Sequence, residues 1–392
     1  MRQKKGINIG LIGIGGFGWE HFKLITRMEH SSEISLVAVC DPGIHTLPEI
    51  ETSLKSRNVR YYEDYHVMLS KEAELAVVFI AAPIPFHNRM VKACLERGVF
   101  VYLEKPPVPL LSQLDALVAA DTGNKVSVGF QMIESAWSRR IKAWIMDGTL
   151  GEIQEIRVGA CWPRSDSYYQ RVNWAGRMNL DGEPIFDGPA TNAMAHLIHN
   201  IMFFAGNGSD MFAEPIEVEG ELYRARSIES YDTASIKGKF ASGIRFFAAL
   251  THATEKRLPF QLEVIGSKGW ARVSEDGQLL QNHLGSFPCQ EEFEDLMLNF
   301  YKVFFSYVRG ESLRPSTLLR DARGYSIATN VALQSSGGIH TIDEKWIHRS
   351  GQTGESICSV EGLQEIIADS LHNPLLFLER GVPWAVKNPE KS

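Results

Sequence analysis

Three glycines, at positions 13, 15 and 18, constrain this chain more than any other feature. They follow the apolar run Ile7-Asn8-Ile9-Gly10-Leu11-Ile12 and precede Trp19-Glu20-His21-Phe22-Lys23-Leu24-Ile25, which has helical character. Strand, G-x-G-x-x-G turn and helix, in that order, are what a dinucleotide needs. Gly13 allows the tight turn. Gly15 removes a Cβ that would block a pyrophosphate. Gly18 lets the helix lie close on the strand, with its N-terminal amides facing the phosphates. Ile14, Gly16 and Phe17 complete the cofactor loop. Glycine turns are common, so the second signal matters. Ser35-Leu36-Val37-Ala38-Val39-Cys40 reads as the next strand and ends in Asp41, 23 residues past Gly18. An acid there accepts hydrogen bonds from both ribose hydroxyls and repels a 2′-phosphate. No Arg or Lys follows Asp41 before Lys55, which favours NAD over NADP.

The 392 residues are enough for two domains. A net charge of −7, with no basic block longer than Lys4-Lys5, argues against a nucleic-acid partner. The five cysteines, Cys40, Cys94, Cys161, Cys289 and Cys358, form no C-x-x-C pair. They suit a reducing compartment and predict neither a disulfide framework nor a metal site. No apolar run is long enough to span a bilayer, and the N-terminal pattern is not that of a secretory signal. The expectation is a cytoplasmic protein without a membrane partner.

Strand and helix alternate through residue 130. Ala76–Ala81 is a continuous apolar run, the mark of a strand buried on both faces. Val99-Phe100-Val101-Tyr102-Leu103 is another strand and ends in Glu104-Lys105-Pro106-Pro107. Residues 1–130 therefore read as a doubly wound parallel sheet, α/β in class. From Gly151 the strands alternate in antiparallel style, and helices return near 291–308 and 319–335. Residues 131–345 read as an α+β domain, joined to a C-terminal extension, 346–392, that the pattern does not place. Residues 163–187 form a polar, aromatic connection too long to be passive. A sheet with helices on one face leaves an apolar face to cover, so a homodimer or homotetramer through that sheet is expected.

These residues resemble the Gfo/Idh/MocA family, the relatives of glucose–fructose oxidoreductase and inositol 2-dehydrogenase. The resemblance covers about residues 6–345. It rests on the glycine loop and Asp41, Ala81-Ala82-Pro83 with His87, and Gly98-Val-Phe-Val-Tyr-Leu-Glu104-Lys105-Pro106. Asn192-x-x-x-His196, Tyr231-Asp232-Thr233-Ala234 and Gly266-Ser267-Lys268-Gly269 complete it. The resemblance implies a Rossmann domain followed by an open-faced α/β domain. It also implies oxidation of a secondary alcohol of a sugar, polyol or cyclitol, or the reverse, with NAD or NADP. Pro83, His87, Glu104 and Lys105 join the cofactor residues on this ground.

Hydride transfer from an alcohol needs a positioned carbon, a base for the hydroxyl proton and a donor for the oxygen. Lys105 follows a parallel strand, at the edge where open α/β sheets bind ligands, and matches the family's lysine. It is assigned to polarise the hydroxyl. Asn192, His196 and His199 stand at i, i+4 and i+7, one stripe of an otherwise apolar helix. His196 matches the family's catalytic histidine and suits a general base. The family usually carries aspartates where this chain has Asn192 and His199. The stripe could also hold a metal, but no carboxylate lies on it. Further substrate contacts are Gln131, Trp162, Tyr169, Asn173, Trp174, Arg177, Asn192, His199 and His252. Aromatic faces cover sugar CH surfaces, while amides and guanidiniums bind hydroxyls. His21, His30, His45 and His66 read as surface residues. Two other readings compete: a non-catalytic cofactor-binding sensor, and an enzyme with tightly held, recycled NAD acting on a glycoside.

Overall fold

The computed structural model describes residues 6–29, 33–208, 211–289, 291–352 and 354–386. They form two compact units. The first comprises Met1–Val108, Ser112–Gln131 and Phe293–Ala322, and the rest of the chain forms the second.

The first unit is built on six parallel strands. These are β1 (Ile7–Ile12), β2 (Ile34–Cys40), β3 (Arg60–Tyr62), β4 (Val77–Ile80), β5 (Phe100–Leu103) and β6 (Val126–Val128). The order β3-β2-β1-β4-β5-β6 reverses direction between β1 and β4, the switch point of a doubly wound fold. All four residues of β4 are buried, as a strand covered on both faces requires. The register is level: Ile12 pairs with Cys40 and Ile80, Ile80 with Leu103, and Leu103 with Val128. Every carboxyl end therefore reaches one edge.

The helix Phe293–Val308 belongs to this unit, so the expected second domain of 131–345 is interrupted. The reason is aromatic packing. Tyr301 and Phe304 meet Phe79 and Tyr102 edge-on, with ring centres 5.3 to 6.1 Å apart. Such pairs each add about 0.5–1.5 kcal/mol beyond their burial. The helix expected near 319–335 is likewise split, into a 3-10 turn Leu319–Ala322 and the helix Arg323–Ser336 of the second unit.

The second unit carries the helix Ala136–Met146 and then β7 (Ile153–Cys161). The long connection then carries a short helix, Asp166–Gln170, and a small ladder of β8 (Asn179–Leu180) and β9 (Glu183–Pro184). Next come β10 (Pro215–Arg224), β11 (Thr233–Phe240), β12 (Arg245–Thr251) and β13 (Leu258–Gly266). β14 (Trp270–Ser274), β15 (Leu279–Asn282), β16 (Gly285–Pro288) and β17 (His340–Thr341) complete a nine-stranded sheet. It is largely antiparallel, with β7 and β12 parallel and β10 and β17 parallel.

The face expected to be uncovered is covered where β7, β10 and β12 run. The C-terminal extension folds back as β18 (Ile347–Ser350), β19 (Ile357–Val360) and the helix Leu363–Asp369. Its Ile347, Val360, Leu363, Ile367, Phe377 and Trp384 form one core with Cys161, Tyr223, Phe247 and Ala249 of the sheet. Gly159 marks the closeness: a Cβ there would lie 2.9 Å from Ser370 Oγ. Beyond this cover the same face is charged, with Arg157 on Glu155 and Arg272 on Glu263. That covered part of the apolar face is therefore filled by the chain itself. Among the described residues no helix is long and apolar enough to cross a membrane.

Candidate functional site

In the first unit, the level strand ends put Gly13, Asp41, Ala81, Glu104 and Lys105 along one edge. Gly13 has φ +83°, and a Cβ there would lie 2.7 Å from the Ala82 nitrogen. A Cβ on Gly18 would collide with the Gly13 carbonyl oxygen, so only glycine lets this helix lie on β1. Asp41 Oδ2 accepts from the amides of Ile14 at 2.9 Å and Gly15 at 3.3 Å, and Oδ1 accepts from Gly43 at 2.8 Å. The carboxylate is fixed beside the glycine loop, where a ribose diol would be held. The edge fits a dinucleotide: a loop kept free of side chains, a helix N-terminus and an acid at the neighbouring strand end.

His87, expected beside the cofactor, is a framework residue with 1% exposure. Its Nδ1 faces the Pro106 carbonyl at 3.0 Å and its Nε2 faces that of Ala82 at 2.8 Å. It ties the loop after β4 to the loop after β5, and burial pushes its pKa down. Glu104 also turns inward. Its Oε1 lies 3.1 Å from His21 Nε2, while His21 Nδ1 meets the Tyr301 hydroxyl. His21 is fully buried, not a surface residue. Its helix packs inward through Phe22, Ile25 and Met28, and His21 falls on that face. His45 and His66 are exposed as expected, and His30 lies outside the described residues. Lys105 is half-buried at the strand end. Gln131 follows β6 and is 5% exposed. Pro83 begins the turn after β4.

In the second unit the expected stripe is divided. Asn192 lies in a π-helical turn, Pro189–Ala193, which stops at Met194 before the helix Ala195–Ala205 begins. Asn192 and His196 are half-buried, whereas His199 is fully buried. His199 stacks on Phe212 with ring centres 4.8 Å apart, and burial lowers its pKa to about 3. It is a neutral core histidine, not a substrate contact. His252 is also buried, with Nδ1 2.8 Å from the Trp162 carbonyl oxygen. Burial first, then the charges of Arg164 and Arg171, lower it to about 3.

The residue that the sequence reading missed is Asp187. It is 3% exposed and accepts from Gly176 N at 2.7 Å and from Asn192 Nδ2 at 2.8 Å. A carboxylate thus stands beside Asn192, supplied from five positions earlier. The only sequence signal was an acid just before the Gly188-Pro189 turn. Burial, with Asp187 adding to it, raises the Tyr168 and Tyr169 phenols and keeps them protonated. Tyr169, Asn173 and Arg177 line one cavity of the long connection, and Trp174 stands under Arg171 with 5.4 Å between guanidinium and ring centre. Trp162 stands under Arg257 at 5.0 Å. Among the described residues no group of three or more His, Cys, Asp or Glu is placed to hold a metal.

Fold and strand edge together define an NAD-binding oxidoreductase class, and comparison with known proteins agrees. Residues 7–130 match the model of the oxidoreductase family with the NAD-binding Rossmann fold, and residues 138–272 match the GFO/IDH/MocA C-terminal domain. The chain belongs to the Gfo/Idh/MocA family. Inositol 2-dehydrogenase of Ralstonia nicotianae is 22% identical over 347 residues, 86% of this chain and 96% of that protein. The WlbA dehydrogenase of Bordetella pertussis, solved with NADH and UDP-GlcNAcA, has a TM-score of 0.72 at 21% identity, covering 84% of this chain and 96% of that one. Myo-inositol 2-dehydrogenase of Lactobacillus plantarum has a TM-score of 0.67 at 21% identity, covering 85% and 97%.

Proposed function

We propose that the protein is an NAD-dependent dehydrogenase that interconverts a secondary hydroxyl and a ketone on a sugar, glycoside or cyclitol. The observation that carries this reading is the level edge that aligns Gly13, Asp41 and Lys105 within the NAD-binding unit. The relatives' names, inositol 2-dehydrogenase among them, support the substrate class. Bound NAD supplies the acceptor for two electrons and one hydrogen. Lys105 orients the hydroxyl and steadies negative charge on its oxygen. His196 accepts the hydroxyl proton on its imidazole and returns it in the reverse direction. Asn192, held by Asp187, presents its carbonyl oxygen to a substrate hydroxyl. The setting we infer is the cytoplasm, where buried thiols such as Cys161 and Cys358 stay reduced.

The test is absorbance at 340 nm with NAD and a panel of sugars and cyclitols. Lys105→Ala and His196→Ala each lower kcat by roughly 10²–10⁴-fold while circular dichroism stays unchanged. Full activity in both variants discards the assignment. Turnover without added cofactor would identify a tightly held, recycled NAD.

A further inference from the structure

The long connection and the C-terminal chain of the second unit line an open cleft of about 890 Å³, ample for a sugar. Its wall carries Arg171, Arg177, Arg226 and Arg349 against the carboxylates of Asp166 and Glu229. Two of these guanidiniums are committed. Arg226 pairs with Asp166, and Arg349 donates to both oxygens of Glu344 at 2.7 and 2.9 Å. Arg171 and Arg177 meet no carboxylate within 4.0 Å among the described residues. Arg171 is nevertheless held in place. Its guanidinium lies 3.6 Å from the centre of the Tyr168 ring and donates to the Tyr168 carbonyl oxygen. A stacked, preorganised guanidinium loses little freedom when it binds an oxyanion. Arg177 is exposed, and Tyr169 supplies an aromatic wall.

A second observation reports the field of this region. His252 lies 5.9 Å from Tyr168, and after burial the causes holding its imidazole neutral include Arg164, Arg171 and Arg226. The C-terminal extension is part of the construction. The Asp166 amide donates to the Ser356 carbonyl oxygen at 3.0 Å, Ser165 bridges to Ile357, and Arg349 and Cys358 line the cavity.

We propose that this cavity binds the anionic group of the substrate, a carboxylate or phosphate carried on a sugar, with Arg171 and Arg177 as its partners. The claim rests on the dehydrogenase reading for the word substrate, and on the cavity alone for the anion. A planar guanidinium fork matches either oxyanion.

The experiment is calorimetric titration of the full chain with glucose, glucuronate and glucose 6-phosphate, at low and high salt. At least one anionic sugar binds tenfold or more tighter than glucose, and the tighter arm names the anion. High salt weakens that binding. Arg177→Ala, at an exposed position, loses about tenfold more affinity for the anionic sugar than for glucose, and Arg171→Gln does the same. Equal binding of all three sugars, or unchanged affinity in both variants, overturns the proposal. The two readings separate cleanly. Anion binding without NADH formation on any sugar keeps the cavity assignment and removes the dehydrogenase. Turnover of neutral sugars with no preference for anionic ones removes the cavity assignment and keeps the dehydrogenase.

Discussion

Asp187 Oδ1 accepts a hydrogen bond from Asn192 Nδ2 at 2.8 Å, so a carboxylate anchors the amide at the turn before the helix of His196. Its other oxygen holds the Gly176 amide at 2.7 Å, where the cavity wall begins. One buried side chain therefore ties the long connection to the π-helical turn. Asp187→Asn keeps the shape and removes the charge, turning an acceptor oxygen into a donor against one of two N–H groups. Hydrogen bonds to charged groups contribute about 1.5–3 kcal/mol. Stability falls by that order, and kcat falls with it because the charge that anchors Asn192 is gone. Urea unfolding and the rate on the preferred substrate check this. An unchanged kcat with lowered stability would assign Asp187 to the fold alone.

Asp41 is the second prediction. Its carboxylate is presented by the glycine-loop amides and the Gly43 amide. A ribose diol donating to it gains charge-assisted bonds, whereas a 2′-phosphate meets repulsion. Asp41→Ala weakens NAD binding by roughly 10–100-fold, about 1.4–2.8 kcal/mol, and leaves NADP binding equal or tighter. Fluorescence titration with both reduced cofactors measures the ratio. A uniform loss for both would mean that the acid supports the loop without choosing the cofactor.

The first sheet was legible because parallel strands announce themselves as short apolar runs, and because the glycine loop and Asp41 lie at their ends. What the sequence withheld is non-local. His21 looked like a polar residue on a helix surface. It is buried because Tyr301, 280 residues later, returns to meet it. Asn192, His196 and His199 have helical spacing, but the backbone passes through a π-helical turn, Pro189–Ala193, and breaks at Met194 before the helix begins. The regular stripe becomes one loop-like amide, one half-buried imidazole and one core imidazole. The C-terminal extension lacked a pattern of its own because its apolar residues serve a sheet formed far upstream. Asp187 carried no periodic signal at all.

Glu221 gives a pH dependence with a definite sign. Burial raises its pKa from 4.5 to about 7, opposed by hydrogen bonds from the Leu378 amide and reinforced by Glu379. The folded pKa lies above the unfolded one, so the stabilisation is full below about pH 4.5 and is lost as pH rises through 7. The span is roughly 3 kcal/mol for a group only 8% exposed. His199 and His252 act oppositely, since their lowered pKa values cost stability as pH falls below 6.5. Subtracting the Glu221→Gln curve isolates the carboxyl. The wild type loses stability relative to the variant between about pH 4.5 and 7, measured by urea unfolding at each pH. Parallel curves would show that Glu221 does not titrate in this range.

The last prediction concerns the cover on the sheet. Trp384 is 5% exposed and Phe377 1% exposed, and both rings meet Tyr223 of β10, at 5.1 and 5.9 Å between centres. Trp384→Ala empties the largest side chain of that cluster and costs roughly 3–5 kcal/mol, read by urea unfolding. Deleting the chain from residue 346 goes further. It strips Cys161, Tyr223, Phe247 and Ala249 of their cover and exposes a contiguous apolar face. Such a face drives association in water. Light scattering at micromolar concentration therefore finds a larger particle for the truncated chain than for the full one. In the full chain its own residues occupy this part of the sheet. A truncated chain that keeps the mass of the full one per particle would mean that the sheet does not need the extension, and that its burial there contributes little.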